Sequence, residues 1–166
     1  MLFRSGGIIN ANVEAFDGGT IAPGSSPGTL IINGNLVIDT GVLQLETENG
    51  VADKIIVSGL AQIGGDATIE LFFDTLTDIA IEDFFEFTDP TEELEFLAGF
   101  ESGDISVFTS DTDLVGDPIT VTFGQEQVEV AASFGVSNEV PEPGAIALFG
   151  FGLVGLCALR RRRKAA

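Results

Sequence analysis

Residues 30–38 read LIINGNLVI, and the fold turns on how that stretch relates to its neighbours. The shorter run IINANV at residues 8–13 returns as IINGNL at residues 31–36, an offset of 23 that sets Asn12 on Asn35. The full stretch then returns as IIVSGLAQI at residues 55–63, an offset of 25 that sets Gly34 on Gly59 and Ile38 on Ile63. Periods in the twenties mark solenoids, in which a single coil cannot bury its apolar face and must stack on the next. Alternate residues of each strand then point inward and form ladders such as Ile9/Ile32/Val57 and Val13/Leu36/Ala61. Gly and Asn suit the corners because they tolerate left-handed backbone. The competing arrangement sets three similar hairpin strands in a sandwich or meander; the in-register repeat favours stacked coils.

The rest of the chain agrees with an all-β class. GVLQLET, DATIELFF, DISVFTS, DPITVTF and EQVEVAASF are rich in β-branched or aromatic residues and are separated by Gly, Asn and Asp. Four segments follow: repeats over 1–73, a Phe-rich acidic stretch over 74–103, terminal strands over 104–139, and a distinct tail over 140–166. The second segment is expected as a lateral insertion with a short helical turn around residues 79–87. Its Phe84, Phe85, Phe87, Phe96 and Phe100 are expected to form a satellite core rather than a binding platform. The third segment is expected to close the far end with hairpin-like strands and so protect an open edge.

The chain holds 26 acidic and 7 basic residues, and all but one of the acids precede Pro141, where only Arg4 and Lys54 oppose them. Such a body repels phosphate backbones, so nucleic acid is an unsuitable partner. A hydrophobic fraction of 45% with 14 Phe is far too apolar for a disordered acidic chain. His, Tyr and Trp are all absent, which removes the commonest general base and metal ligand. The chain is therefore expected not to be an enzyme. The single cysteine, Cys157, sits in the apolar tail, where it reads as a small packing residue, and no intrachain disulfide can form.

Few residues point to bound ligands, and no cofactor is expected. SDTDLVGDP places Asp111, Asp113 and Asp117 in one Gly-containing turn, where hard oxygens could hold Ca²⁺. It lacks the full acidic pattern of an EF-hand loop, so a solvated turn is the simpler reading. TENGVAD at residues 47–53 reads as a coil corner with an Asx turn, and GSSPG at 24–28 as a turn without the Lys of a phosphate loop.

The tail VPEPGAIALFGFGLVGLCALRRRRKAA has three parts. Residues 144–159 are 16 uncharged residues, about 24 Å as a helix, and flanking arginines can extend that toward a hydrocarbon core of roughly 30 Å. A single transmembrane helix is expected, because a core helix rarely ends in Arg160, Arg161, Arg162, Arg163 and Lys164. That basic cluster stays on the cytoplasmic side and places the acidic body across the membrane. Pro141 and Pro143 hold an extended segment around Glu142 at the outer surface.

Val140, Pro141, Glu142 and Pro143, the apolar run and the Arg cluster together resemble the PEP-CTERM sorting signal of Gram-negative bacteria. That resemblance implies cleavage near Pro-Glu-Pro by an exosortase-type membrane protease. It also implies transit from the inner membrane to the cell surface or exterior, often in biofilm- and exopolysaccharide-forming species. A weaker resemblance covers residues 18–73, which are similar to autotransporter passenger repeats and imply a right-handed parallel β-helix. The opening MLFRSGGIINANVEAF has no apolar stretch of seven or more residues, so the start is expected to be a fragment or a misplaced start. The expected function is an exported, non-enzymatic surface or extracellular-matrix protein, with extracellular polysaccharide as a further partner. The alternative is a permanently tethered carbohydrate- or calcium-binding surface module.

Overall fold

Strict alternation of apolar and polar residues gives strands with one buried face, and this chain repeats that device many times. The computed structural model describes residues 2–4, 6–24, 27–74 and 78–135. The first strands are β1 (Leu2–Arg4), β2 (Gly7–Ile9), β3 (Val13–Ala15), β4 (Thr20–Ala22), β5 (Thr29–Ile32) and β6 (Leu36–Ile38). Next come β7 (Val42–Glu48), β8 (Val51–Ala52), β9 (Lys54–Val57), β10 (Ala61–Ile63), β11 (Thr68–Phe73) and β12 (Asp78–Ala80). The last are β13 (Phe85–Phe87), β14 (Leu94–Phe96), β15 (Ile105–Thr109), β16 (Pro118–Phe123), β17 (Glu126–Ala131) and β18 (Ser133–Phe134). Three short 3₁₀ turns, at Ile81–Phe84, Ser102–Asp104 and Thr112–Leu114, are the helical elements among the described residues.

Fourteen of the strands fall into three parallel ladders visited in rotation. One ladder runs β1-β4-β7-β11-β15-β18, a second β2-β5-β9-β13, and a third β3-β6-β10-β14. The chain passes from the first to the second to the third, then returns to pair in parallel with the strand it laid down one circuit earlier. This is consistent with a β-helix. A meander would need antiparallel neighbours, and among the described residues those occur only at β7/β8 and β16/β17.

The repeat seen in the sequence is the pairing register. Ile9 aligns with Ile32 and Ile32 with Val57, while Val13 aligns with Leu36 and Leu36 with Ala61. Side chains at these positions stack into the core: Leu30, Ile32, Ile38, Ile55, Val57 and Ile69 are fully buried. Each such side chain stabilises the fold by about 1.5–3 kcal/mol, which is why the in-register repeat fixes the fold. The corners add directional bonds. Asn12 Oδ1 accepts from Asn35 N–H at 3.0 Å, Asn35 Oδ1 accepts from Leu60 N–H at 3.1 Å, and Asn33 Nδ2 donates to Asn10 Oδ1 at 2.7 Å.

Three expectations need correction. The stretch over 74–103 is not simply a lateral insertion: β13 pairs with β9 and β14 with β10, so it supplies a further circuit. Among the described residues of this stretch, β12 is the strand that leaves the ladders, pairing with β16 instead, and the Ile81–Phe84 turn follows it. The circuit lengthens to 30 residues from Ile55 to Phe85 and 33 from Ala61 to Leu94, which hides it from a period near 24. Among the described residues of 104–139 there is one hairpin, β16/β17, whereas β15 and β18 continue the first parallel ladder. Residues 47–53 form a tight antiparallel hairpin rather than a plain corner, with Asn49 at φ 53° and Gly50 at φ 75°. Two left-handed residues in sequence match the twist of a two-residue hairpin, which Asn-Gly accommodates best.

The Phe-rich stretch is largely inward. Phe84, Phe85 and Phe100 are buried. Phe123 of the hairpin meets Phe96 and Phe100 at ring separations of 5.5 and 5.3 Å, closing the far end of the ladders. Ile119 and Val121 are buried beside it, so the hairpin turns one face onto the core.

Candidate functional site

The tail carries the sequence signal, and the body prepares its point of departure. β18 adds Ser133 beside Phe108 and Phe134 beside Thr109 in the first ladder. Gly135 N–H then donates to the Thr109 carbonyl at 3.0 Å. A Cβ on Gly135 would lie 2.9 Å from Phe108 side-chain atoms, so the close approach of chain to ring needs glycine there. Phe108 in turn stacks on Phe72, with centroids 5.0 Å apart and planes 20° from parallel. The last described residue is therefore held by a ladder bond and by an aromatic stack two circuits deep.

The turn that holds the three candidate metal ligands braces the same exit. Asp111 Oδ1 accepts from Asp113 N–H at 2.9 Å, capping the Thr112–Leu114 turn. Gly116 N–H donates to the Ala132 carbonyl at 2.8 Å, and Ala132 N–H donates back to the Asp117 carbonyl at 3.0 Å. Ala132 is buried, so these reciprocal bonds clamp the strand just before β18. Among the described residues no group of three or more acidic side chains is placed to hold a metal ion. The structure thus does not gather Asp111, Asp113 and Asp117 into a calcium site; the backbone bonds of their turn are spent on the brace.

A buried residue that sequence reading passed over is Asp53, only 2% exposed. Its Oδ1 accepts from Gly28 N–H at 2.6 Å and its Oδ2 from Glu46 N–H at 2.8 Å. It clips two successive circuits together where the first ladder hands over to the second. The clue lay in its place before Lys54, at the start of a buried alternating run and 25 residues from Gly28.

Val140, Pro141, Glu142, Pro143, Cys157, Arg160, Arg161, Arg162, Arg163 and Lys164 lie outside the described residues, as does the expected membrane helix. Among the described residues no helix is long and apolar enough to cross a membrane. No curated protein and no solved structure matches the chain, so the likeness of residues 18–73 to autotransporter repeats gains no support from a relative. The tail is different: the family model of the PEP-CTERM protein-sorting motif matches residues 139–164. The chain thus carries a PEP-CTERM protein-sorting motif, which implies exosortase-dependent sorting of an exported protein through the membrane to the cell surface or beyond.

Proposed function

We propose that this chain is a non-enzymatic structural component of the cell surface or extracellular matrix, released from a transient membrane anchor by cleavage near Pro141-Glu142-Pro143. The observation that carries this reading is the sorting motif over residues 139–164, joined directly to a β body. In this reading residues 144–159 dock in the bilayer and Arg160, Arg161, Arg162, Arg163 and Lys164 hold the cytoplasmic side. The body is a short right-handed parallel β-helix. Rotation of the chain through three parallel ladders supports it, as does the strong right-handed preference of parallel crossover connections.

The same reading accounts for the charge. Cleavage near Glu142 removes all but two of the seven basic residues, leaving a product more acidic still. Such a product stays hydrated and resists collapse onto neighbouring acidic chains. Polysaccharide is the partner class this surface suits, through hydroxyl groups rather than anionic ones.

The chain has two lysines, one on each side of the proposed membrane, and they supply the test. A membrane-impermeant amine reagent applied to intact cells that retain the uncleaved form should label Lys54 and spare Lys164. Labelling of Lys164 with Lys54 protected would overturn the orientation and the role built on it.

A further inference from the structure

The pair Asn-Gly occurs twice in the chain, at Asn33-Gly34 and at Asn49-Gly50, and the fold treats the two in opposite ways. The pair is chemically labile. With no side chain on the glycine, its backbone nitrogen can swing onto the asparagine side-chain carbon Cγ and attack it, provided the peptide is free to rotate. Both asparagines are exposed, so access to water does not separate them. What separates them is how firmly each peptide is held.

Asn33-Gly34 sits at a corner between stacked circuits. Asn33 N–H donates to the Ile9 carbonyl at 2.8 Å and Asn33 Nδ2 to Asn10 Oδ1 at 2.7 Å, which ties backbone and side chain alike to the preceding circuit. The Gly34 carbonyl accepts from Gly59 N–H, in the following circuit, at 3.1 Å. A Cβ on Gly34 would lie 2.6 Å from the Ala11 carbonyl oxygen, so the peptide has no room to turn. Rotating it means parting three circuits. Asn49-Gly50, by contrast, is the tip of the β7/β8 hairpin. Both of its residues are exposed and left-handed, and a Cβ on Gly50 would meet nothing within 4 Å. β8 is only two residues long, both exposed, and among the described residues it pairs with β7 alone. Such a tip opens locally, without disturbing a parallel ladder. Its bond to the body is Asn49 N–H to Asp74 Oδ2 at 2.7 Å, which leaves the side-chain carboxamide free to turn.

We propose that Asn49 is a self-modification site, converted in the folded protein to aspartate and isoaspartate while Asn33 persists. The Gly50 backbone nitrogen bonds to Asn49 Cγ, the bond from Cγ to the side-chain nitrogen breaks, and that nitrogen leaves as ammonia with the proton Gly50 has lost. The product is a five-membered succinimide ring. Water then opens it: addition at Cγ gives aspartate, and addition at the backbone carbonyl carbon gives isoaspartate, whose main chain runs through Cβ and Cγ. Either product sets a new carboxylate beside Glu48 and Asp74, where like charges repel. Isoaspartate also lengthens the main chain of a turn whose twist admits two residues. The tip therefore loosens from Asp74, while Asp53 keeps its clip on Gly28 and Glu46. The reaction needs water and no enzyme, and it is independent of how the tail is processed.

The test uses the full, unaltered chain in detergent micelles, incubated in mildly alkaline and in mildly acidic buffer. Digestion with pepsin in acid, where ring closure is slow, is followed by fragment mass spectrometry that reads Asn33 and Asn49 separately. A parallel sample in guanidinium chloride supplies the unfolded reference, in which the two pairs should convert alike. In the folded chain Asn49 should convert at least about tenfold faster than Asn33, the ratio of a local to a global opening. The rate at Asn49 should rise in the alkaline buffer, because the attacking nitrogen must shed its proton. Conversion of Asn33 as fast as Asn49 in the folded chain would overturn the proposal, since the fold would then make no distinction. Asn49 left intact over the time in which the unfolded reference converts would overturn it as well.

Discussion

The circuits before Leu60 and those after it are joined by different chemistry. In the earlier ones, Asn10, Asn12, Asn33 and Asn35 pass hydrogen bonds from corner to corner, and the pairing offsets of the second and third ladders, which these corners join, stay at 23 and 25 residues. In the later ones the offsets grow to 30, 33 and 36 before β18 returns to 25, and rings carry most of the side-chain contacts between circuits, Phe72 on Phe108 and Phe96, Phe100 and Phe123 in one cluster, with Gln62 donating to Glu95 as a remaining polar link. Hydrogen bonds demand short distances and good angles, so a polar corner ladder tolerates only a near-constant period. Apolar burial is non-directional, so an aromatic cluster accepts loops of unequal length. The regular half sets the register, and the irregular half closes the end and carries the tail.

That contrast can be broken at several points. Phe123→Ala removes the ring shared by Phe96 and Phe100 and should cost about 4 kcal/mol, the usual range for a buried aromatic. Amide hydrogen exchange should quicken first in β16 and β17 while β5 and β9 stay protected; equal loss in both would show that the two halves are not distinct. Asp53→Ala orphans the Gly28 and Glu46 N–H groups and should cost about 3 kcal/mol in chemical denaturation. Asp53→Asn, which keeps one acceptor, should recover part of that loss.

Asn35→Ala should cost about 1 kcal/mol, because it removes a single half-buried acceptor from Leu60 N–H. If it proves as damaging as Phe123→Ala, the corner ladder is worth far more than its bonds. The smallest effect belongs to Asp89, whose carboxyl is held below its ordinary pKa first by Thr91 N–H and then by the Thr91 hydroxyl. A lowered carboxylate pKa adds stability above the unfolded value and loses it as pH falls through the folded one, so this contribution fades from about pH 4 downward. Comparing the melting temperatures of Asp89→Ala and the parent at pH 7 and at pH 3 should show a slight difference at the first and less at the second.

Much of the fold was legible because Ile31-Ile32-Asn33 and Ile8-Ile9-Asn10 share residue types as well as spacing. Phe85-Glu86-Phe87 occupies the same ladder as Ile55-Ile56-Val57, yet it escaped detection. Its residues differ, and the detour through β12 and the Ile81–Phe84 turn delays it. Alternation alone could not distinguish β15, which continues a parallel ladder, from a hairpin strand, since both bury every second residue. The turn at Asp111, Asp113 and Asp117 looked like ligand chemistry because sequence shows side chains and hides the backbone bonds that employ the turn. The sorting motif was legible in full, because its proline, apolar and basic parts act in sequence order and need no tertiary partner.

The most direct test of the central claim is the mass of the protein recovered outside the cells. A species whose C-terminus lies at or near Glu142, absent when exosortase activity is removed, is the predicted result. Recovery only of a membrane-bound chain that still ends in Arg160, Arg161, Arg162, Arg163, Lys164, Ala165 and Ala166 would contradict it and leave a permanent tether in place of a removable signal.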